Sequence, residues 1–402
     1  MFLKFFSLGI FLFPWLYLVK VPLQKGSLNW LDIALLVYLS LSAGQLYQKK
    51  KLKSFLVFLQ TNKLFWFFGF LVFCVFLSAL SGGREIWSNL GILKSFFVLP
   101  GLFAFLLAFQ NRKKTFWVKD YLLAYLIYSS GLSLASLLSF CFGETSYDNR
   151  ISLFFQSPNQ LAILLSTGFL ITIFFRFFYQ KVFLNNLWWL NSAIAVHFLA
   201  IATTQSTGAI FSLTVLIGFL LFHKNSLLPN LTILLLILQI LSLTIIFNAS
   251  FLLNIFSIDP FENKNSLDSR LVIYSVSEKI IEKNPFSGIG PANFQESYLR
   301  EQKNFPPYPQ WAVPHSHNLF SQIWLSGGLA GLVFFIFLFI QKILYAKTSS
   351  SNKKQIFLSF LIINYFLLHG LIDTPIWKND LALFFWFFLL IDKPENIKRL
   401  LS

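Results

Sequence analysis

Two histidines, His315 and His317, stand one residue apart in the segment PHSHNLFSQIWLSGGLAG, directly before a long apolar run. A neutral imidazole takes up a proton near neutral pH, because the ordinary pKa of histidine is about 6.5. A side chain that acts as a general base accelerates a reaction by about 10²- to 10⁴-fold. His317 is therefore a candidate catalytic base, with His315 and Asn318 as candidate contacts to the same substrate.

Two other roles for this pair remain open. Two imidazoles can bind a metal ion, but a catalytic zinc usually has three protein ligands. No third ligand lies nearby in the sequence, so Asp373 or Glu296 would have to approach in space. The chain also lacks any Asp-x-Asp pair, which weighs against a glycosyltransferase that uses a divalent cation. Alternatively, His317 and Asn318 could cap the helix that follows them.

Three arginines on the predicted outer side are candidate binding residues: Arg84 in SGGREIW, Arg150 in YDNRISLFFQSPNQLA and Arg270 in LDSRLVIY. Arg84 could equally be an anchor at the membrane interface, and Arg150 follows Asp148 and could be a solvated loop charge. Arg270 stands near the start of a predicted helix, where a basic residue opposes the helix dipole. That position favours a role in which Arg270 helps the helix N-terminus to bind an anion.

These residue types together predict an anionic, lipid-linked substrate. Guanidinium groups bind phosphate oxygens through forked, charge-assisted hydrogen bonds. Arg150 and Arg270 would bind a pyrophosphate at the membrane surface and stabilise it as a leaving group, while His317 takes a proton from an incoming hydroxyl. Because guanidinium groups can neutralise the pyrophosphate, we expect neither a metal ion nor a cofactor.

The composition of the chain predicts a membrane protein. Of its 402 residues, 56% are hydrophobic and 12% are charged, whereas a soluble domain has about 25% charged residues. Apolar stretches of about 20 residues recur along the chain, as membrane-spanning helices require. The net charge of +16 is explained by basic residues in connections on the cytoplasmic side rather than by nucleic-acid binding. Cys74 and Cys141 both lie in apolar segments, so no disulfide framework is predicted.

We predict an all-α polytopic fold with about twelve transmembrane helices. Their approximate cores are Phe2–Val19, Leu28–Leu46, Leu64–Leu80, Gly91–Phe109, Tyr121–Cys141, Pro158–Tyr179, Leu187–Ala202, Ala209–Phe222, Leu231–Phe247, Leu319–Tyr345, Ile356–Leu371 and Leu381–Ile391. The first run lacks a small-residue cleavage site, so we interpret it as a span rather than a signal peptide. Most Lys and Arg residues fall in the even-numbered connections, which places both termini in the cytoplasm.

The connection after the ninth predicted span is long, polar and on the outer side. It contains a predicted amphipathic helix in NSLDSRLVIYSVSEKIIEK, a Gly/Pro turn in NPFSGIGPANF and a second short helix ending near Arg300. The chain is thereby divided into residues 1–247 with spans one to nine, residues 248–317 as a large outer loop, and residues 318–402 with spans ten to twelve. Lys94, inside the fourth span, is expected to pair with Glu85 or to reach a lipid headgroup.

The chain resembles the O-antigen ligase and polymerase superfamily of bacterial membrane glycosyltransferases. Ligases of that family carry His-Asn, nine residues and then Gly-x-x-Gly, and here His317-Asn318 is followed by nine residues and Gly328-Leu-Ala-Gly331. SRLVIYSVSEKIIEKNPFSGIGPANF is similar to the family's segment with an Arg and a Pro-x-x-Gly-x-Gly turn, and NRISLFFQSPNQLA to its Arg-plus-Pro-Asn entry to a middle span. Many members have Ser-Arg-Gly-Ala where this chain has Thr207 in place of the Arg.

The resemblance implies an integral-membrane glycosyltransferase fold of type C in the bacterial inner membrane, with a periplasmic active site. It implies transfer of a glycan from undecaprenyl pyrophosphate to the lipid A–core oligosaccharide, with His317 as the base and Arg150, Arg270 and Arg84 as pyrophosphate contacts. A polymerase and a protein O-oligosaccharyltransferase are alternatives within the same fold. A transporter of small anions is an alternative from a different class. The Gly328/Gly331 pair would also allow close approach of two helices.

Overall fold

The computed structural model describes residues 2–23, 26–81, 86–111, 118–146, 150–178, 187–222, 266–305, 312–348 and 353–391, together with Ile237 and Ile240. Arg84, Glu85 and Asp148 lie outside the described residues, as does nearly all of the ninth predicted span, Leu231–Phe247. The expectations for these residues stay predictions.

The described residues form mostly helices, together with one two-stranded hairpin. In chain order the elements are α1 (Phe2–Leu12), a 3₁₀ turn (Pro14–Leu18), β1 (Lys20–Leu23), β2 (Gly26–Asn29), α2 (Trp30–Gln48), α3 (Leu52–Thr61), α4 (Lys63–Ser81), α5 (Ile86–Ile92), a π-helical stretch (Leu93–Val98), α6 (Leu99–Gln110), α7 (Lys119–Cys141), α8 (Pro158–Phe178), α9 (Leu187–Thr203), α10 (Thr207–Phe222), α11 (Ser266–Lys283), α12 (Phe294–Glu301), a 3₁₀ turn (Gln302–Asn304), α13 (Leu319–Thr348), α14 (Lys353–His369) and α15 (Asn379–Leu390).

The helices confirm the prediction of an all-α, multi-pass membrane protein. Six helical stretches in the described part of the chain are long and apolar enough to cross a membrane: Trp30–Gln48, Lys63–Ser81, Ile86–Gln110, Lys119–Cys141, Pro158–Phe178 and Leu319–Ala346. Shorter apolar helices cover predicted spans at α1, α9, α10 and α15. The total of about twelve spans and the division at residues 247 and 317 stay predictions.

Two short elements lie where the sequence analysis had expected only connections. The strands β1 and β2 pair antiparallel, with Lys20 opposite Asn29, and form a hairpin between α1 and α2. The helix α3 has 10 residues and buries Phe58 and Leu59, so it is far shorter than the roughly 20 residues of a span. Both elements are too short to give a sequence signal that stands out among the apolar runs.

The core of the bundle is built around α15. Every residue from Asp380 to Leu390 is buried, and the helix contacts α6, α8 and α14. The indole ring of Trp386 packs edge-on against Phe68 at a centroid distance of 5.0 Å and donates a hydrogen bond to the Phe96 carbonyl oxygen. A helix of this length is stable here because other helices cover its whole surface.

Lys94 has a partner that the sequence analysis did not consider. Its Nζ atom lies 2.7 Å from Oδ2 of Asp32, which is fully buried on α2. The same oxygen accepts a hydrogen bond from Ser95 at 2.6 Å. A buried carboxylate is tolerated when it is paired in this way, so Lys94 has a structural role between α2 and the π-helical stretch.

The helix α13 is kinked at Gly328, which has φ +68°. The turn Pro285–Gly290 binds at this kink through its backbone. Leu329 N donates to Pro285 O at 3.1 Å, and Ile289 N donates to Leu325 O at 2.7 Å. Trp324 Nε1 adds a third bond to Pro285 O at 2.7 Å. The turn Pro285–Gly290 is therefore fixed to α13.

Glycine is required at position 328 by this turn. A Cβ atom on Gly328 would overlap the carbonyl oxygen of Phe286, and the positive φ angle is unfavourable for other residues. A Cβ on Gly331 would make an ordinary 3.6 Å contact with Cys74 of α4. The expected close helix approach is therefore made at Gly331 and at Gly327, where a Cβ would lie 3.0 Å from Val75. Gly328 serves the turn instead.

Candidate active site

Four connections meet at one end of the bundle and bring the candidate residues together. The loop before α13 carries His315 and His317, and the connection after α14 carries Asp373. Leu319 N, at the start of α13, donates to Gly370 O at 2.8 Å and joins these two segments. The start of α8 supplies Asn159, and the turn between α9 and α10 supplies Thr204 and Ser206.

His317 has an unusual backbone conformation. Its φ angle is +53°, which is uncommon for residues other than glycine and is often found at functional sites. The side chain is 25% exposed, and its Nδ1 atom lies 3.5 Å from Oδ1 of Asp373. The ring of His315 lies beside it, with 4.5 Å between the two centroids. The imidazole is thus held next to an acid and remains open to solvent.

Asp373 stands between two imidazoles. Its Oδ2 atom lies 3.7 Å from Nε2 of His369, and its Oδ1 atom accepts a hydrogen bond from Thr374 N at 2.7 Å. Burial alone would raise the pKa of Asp373, but the neighbouring imidazoles of His317 and His369 outweigh it and hold the pKa well below its ordinary value. Asp373 is therefore ionised at neutral pH and stabilises positive charge on the His317 ring.

Arg150 is linked to this acid through one amide side chain. Its Nη2 atom donates to Asn159 Oδ1 at 2.9 Å, and its Nε atom donates to Thr204 O at 2.8 Å. Asn159 Nδ2 in turn donates to Asp373 Oδ2 at 3.4 Å. Ser206 Oγ donates a second hydrogen bond to Asn159 Oδ1, at 3.0 Å. The chain Arg150–Asn159–Asp373–His317 is a continuous polar path.

Arg270 approaches from α11. Tyr274, one turn further along the same helix, donates from its hydroxyl to the carbonyl oxygens of His317 at 3.3 Å and Leu371 at 3.4 Å. Burial raises the pKa of Tyr274 to about 12, although the nearby charge of Arg270 acts in the opposite direction. Residues four apart on a helix share a face, so α11 presents Arg270 on the side that contacts the His317 loop.

His315 and Asn318 have different surroundings. Burial, followed by the neighbouring His317, lowers the pKa of His315 to about 3, so its ring is neutral at physiological pH. Asn318 Oδ1 accepts from Phe320 N and Ser321 N, both at 3.0 Å, which is the geometry of a helix N-cap. Asn318 therefore fixes the start of α13 directly after the catalytic candidate, and a substrate contact from it stays a prediction.

Comparison with known proteins points to one family. Residues 192–336 match the family described as O-antigen ligase, a stretch that contains Arg270, His317 and Gly328. The chain is also 26% identical over 359 residues to the ComP-specific O-oligosaccharyltransferase of Acinetobacter baylyi (strain ATCC 33305 / BD413 / ADP1), which covers 85% of this chain and 63% of that protein. These two matches support a place for the chain in the O-antigen ligase superfamily. It spans a little under two thirds of the length of this relative.

The same site also has a donor set that a metal ion could use. His315, His317 and Asp373 each offer a ligand atom, and these atoms lie within 4.8 Å of one another. Asp373, one of the two acids considered from sequence, is thus the one that joins the histidines, whereas Glu296 is not part of this group. The carboxylate between two imidazoles equally fits proton transfer, so a chelation experiment separates the two roles.

Several residues of the candidate site were missed by reasoning from sequence. Asp373 was considered only as a metal ligand, and His369, Asn159 and Lys378 were not candidates. Lys378 donates from Nζ to Gln156 Oε1 at 2.8 Å, and burial lowers its pKa, opposed by the charges of Asp373 and Asp380. The His-x-x-x-Asp spacing of His369 and Asp373 at the end of a predicted span could have indicated these two residues as site candidates.

Proposed function

We propose that this protein is an O-antigen ligase that transfers a glycan from undecaprenyl pyrophosphate to a hydroxyl of the lipid A–core oligosaccharide. One observation carries the proposal: the imidazole of His317 lies 3.5 Å from an ionised carboxylate that is also bonded, through Asn159, to the guanidinium of Arg150. A base and an anion-binding group are thereby held at one end of the bundle.

The reaction needs one proton acceptor and one stabilised leaving group. His317 takes the proton of the acceptor hydroxyl while the oxygen attacks the anomeric carbon of the donor glycan. The bond between that carbon and the pyrophosphate oxygen breaks, and the electron pair leaves with undecaprenyl pyrophosphate. The guanidinium groups of Arg150 and Arg270 stabilise the charge that develops on the departing oxygens.

Asp373 acts on the reaction through His317. When the imidazole gains the proton, it becomes an imidazolium beside an acid that is ionised at neutral pH, which lowers the energy of that state. The acid itself is fixed beside the ring, because Thr374 N and Asn159 Nδ2 donate hydrogen bonds to its carboxylate. His315 stays neutral next to this pair and adds no repulsive charge.

Arg150 is positioned before any substrate binds. Its hydrogen bonds to Thr204 O and Asn159 Oδ1 fix the guanidinium plane, so little conformational entropy is lost when it meets a phosphate. In this proposal the site faces the periplasm of a bacterial inner membrane, and both termini face the cytoplasm. The excess of Lys and Arg in the even-numbered connections supports that orientation.

A protein O-oligosaccharyltransferase is the second candidate, because the relative from Acinetobacter baylyi carries that activity in its name. The chemistry would be the same, with a Ser or Thr hydroxyl as the acceptor. A polymerase would use a hydroxyl on a second lipid-linked glycan. A small-anion transporter has less support, since transporters bind their ions near the middle of the membrane and these groups lie at helix ends.

Deletion of the gene, followed by electrophoresis of lipopolysaccharide, tests the proposal. Loss of a ligase leaves bare core while carrier-linked polymer accumulates. Loss of a polymerase leaves core with a single repeat unit. Unchanged lipopolysaccharide together with a secreted protein that has lost its glycan would overturn the ligase proposal in favour of the second candidate. Complementation with the wild-type gene and with a His317→Asn variant assigns the effect to this site.

A further inference from the structure

A polar cavity lies beside the turn Pro285–Gly290. It has a volume of about 770 Å³, opens to the surface, and is lined by α11, α12, the turn Pro285–Gly290 and the end of α4. Its lining includes the hydroxyl or amide groups of Ser81, Asn284, Ser287, Asn293 and Ser297. None of the residues assigned to pyrophosphate or proton transfer lines it.

The charged residues of the lining compensate one another. Lys283 Nζ lies 2.6 Å from Glu301 Oε1, and Arg300 Nη1 lies 3.7 Å from Glu296 Oε1. Two cations and two anions leave the lining without net formal charge. Such a surface offers hydrogen-bond donors and acceptors in similar measure, which suits a neutral ligand with many hydroxyl groups. It does not suit a phosphate, which favours unpaired guanidinium groups.

The cavity is connected to the candidate active site through the helix α13. Gly288 and Ile289 belong to its wall, and Ile289 N is bonded to Leu325 O of α13. The same helix begins at Leu319, directly after His317 and Asn318. The nine helical steps from Leu319 to the Gly328 kink correspond to about 14 Å. An oligosaccharide covers such a distance, and a single sugar does not.

We infer that this cavity binds neutral sugar residues of a glycan substrate, away from the bond that is formed or broken. The inference rests on the proposed glycosyl transfer at His317. Binding energy from such a remote part of a substrate positions its reacting end. The sugars could belong to the lipid-linked donor or to the acceptor, because both are hydroxyl-rich, and the two sources are separated by varying each substrate in turn.

The double variant Glu296→Gln/Arg300→Gln tests this inference. Both side chains are more than half exposed, so the protein is expected to fold. The substitutions remove one positive and one negative charge, so the net charge of the cavity lining stays zero while two charged hydrogen-bonding groups are lost. We expect KM to rise about tenfold for one substrate, because the loss of a hydrogen bond to a charged group has an effect of about this size. The kcat value should stay within twofold of the wild-type value. A rise for the donor assigns the cavity to the donor glycan, and a rise for the acceptor assigns it to the acceptor.

The matched control is Lys279→Ala. Lys279 pairs with Glu282 at 2.8 Å on α11, and neither residue lines the cavity, so both KM values should stay at the wild-type level. If the wild type transfers glycan and the double variant keeps both KM values within twofold, the cavity inference is overturned while the proposed function stands.

Binding measured without turnover separates the two proposals. Full-length protein in detergent is mixed with lipid-linked glycan extracted from the host membrane, and the bound fraction is measured by native mass spectrometry. If the wild type shows no transfer, the proposed function fails. Weaker binding by the double variant than by Lys279→Ala would then still support the cavity as a sugar site, and equal binding would overturn it.

Discussion

His197 and His317 are both histidines of a membrane protein, and their surroundings differ at every contact. His197 lies on α9, fully buried. Its Nδ1 atom is 2.7 Å from Ala193 O and its Nε2 atom 3.0 Å from Ser129 Oγ. A Cβ atom on Gly168 of α8 would lie 2.7 Å from the same Nε2, so the ring occupies space that glycine leaves open. Both nitrogens are engaged within the bundle.

His317 lies at the end of the bundle, on a backbone with positive φ, and its side chain is 25% exposed. Its Nδ1 atom has no hydrogen-bond partner among the described residues and instead faces Asp373 at 3.5 Å. A ring with both nitrogens bonded contributes to stability, whereas a ring next to an acid and open to solvent can change its protonation state during a reaction. The comparison favours a structural role for His197 and supports the proposed chemical role of His317.

The largest effect should come from His317→Asn. Asn tolerates a left-handed backbone, so this substitution removes the base without the strain that Ala would add at φ +53°. Loss of a general base should reduce kcat by about 10²- to 10⁴-fold, with expression and membrane insertion at the wild-type level. The measurement is transfer of lipid-linked glycan in membranes with matched protein amounts. Transfer near the wild-type rate would contradict the assignment of the base.

Arg150→Ala should have the next largest effect. The donor would lose charge-assisted hydrogen bonds from the guanidinium, each with a contribution of about 1.5–3 kcal/mol, and Asn159 and Thr204 would lose a donor. Affinity for the donor should therefore fall by about 10- to 150-fold, as measured by the concentration dependence of transfer. Arg270→Ala should lower the affinity for the donor by a similar factor if both arginines bind the pyrophosphate. A normal KM in both variants would remove them from the donor site.

Asp373→Asn should reduce kcat about tenfold. The carboxylate lies 3.5 Å from His317 without a direct hydrogen bond. Its loss should therefore destabilise the imidazolium form of His317 less than the loss of a direct hydrogen bond to a charged group would. Donor KM should change less than kcat, because Asp373 acts through His317. The same assay with added EDTA tests the His315–His317–Asp373 group as a metal site. Inhibition by EDTA that zinc reverses would replace the proton-transfer role.

Much of the fold could be predicted because apolar runs of membrane length are directly visible in the sequence. The runs around Leu64–Leu80, Tyr121–Cys141 and Pro158–Tyr179 coincide closely with α4, α7 and α8. The hairpin β1–β2 and the helix α3 were missed, since neither carries a long apolar run. The role of Gly328 was also missed, because a spacing of small residues does not show that a distant turn binds at a kink.

The residue types of the candidate site could be chosen from the sequence, but the contacts between them could be predicted only in part. His317, Arg150 and Arg270 were singled out because charged groups at membrane depth are costly and are candidates for function. Asn159 and Asp373 are 214 residues apart in the chain, and their contact depends on how the ends of α8 and α14 pack together. No local pattern contains that information, so the link from Arg150 to His317 could only be found in three dimensions.

His197→Ala should have the opposite signature to His317→Asn. Loss of two buried hydrogen bonds and of ring volume between α7, α8 and α9 should lower the melting temperature in detergent by a few degrees, since each buried hydrogen bond contributes about 1 kcal/mol. The transfer rate per folded molecule should stay at the wild-type level. Ser129→Ala is the matched control, because it removes the same hydrogen bond from the other partner and should lower the melting temperature less. A selective loss of kcat in either variant would contradict the structural role.

His315→Gln should have the smallest effect, and it should be visible only in acid. Burial lowers the pKa of His315 to about 3, whereas an unfolded chain has an ordinary histidine pKa of about 6.5. Between these values the unfolded state takes up a proton that the folded state does not, so this residue destabilises the fold as the pH falls below about 6.5. Glutamine cannot titrate, so the melting temperature of the variant should fall less between pH 7.5 and pH 5 than that of the wild type. Equal slopes for the two proteins would show that His315 titrates alike in both states, and its ring would then not be buried as the structure describes.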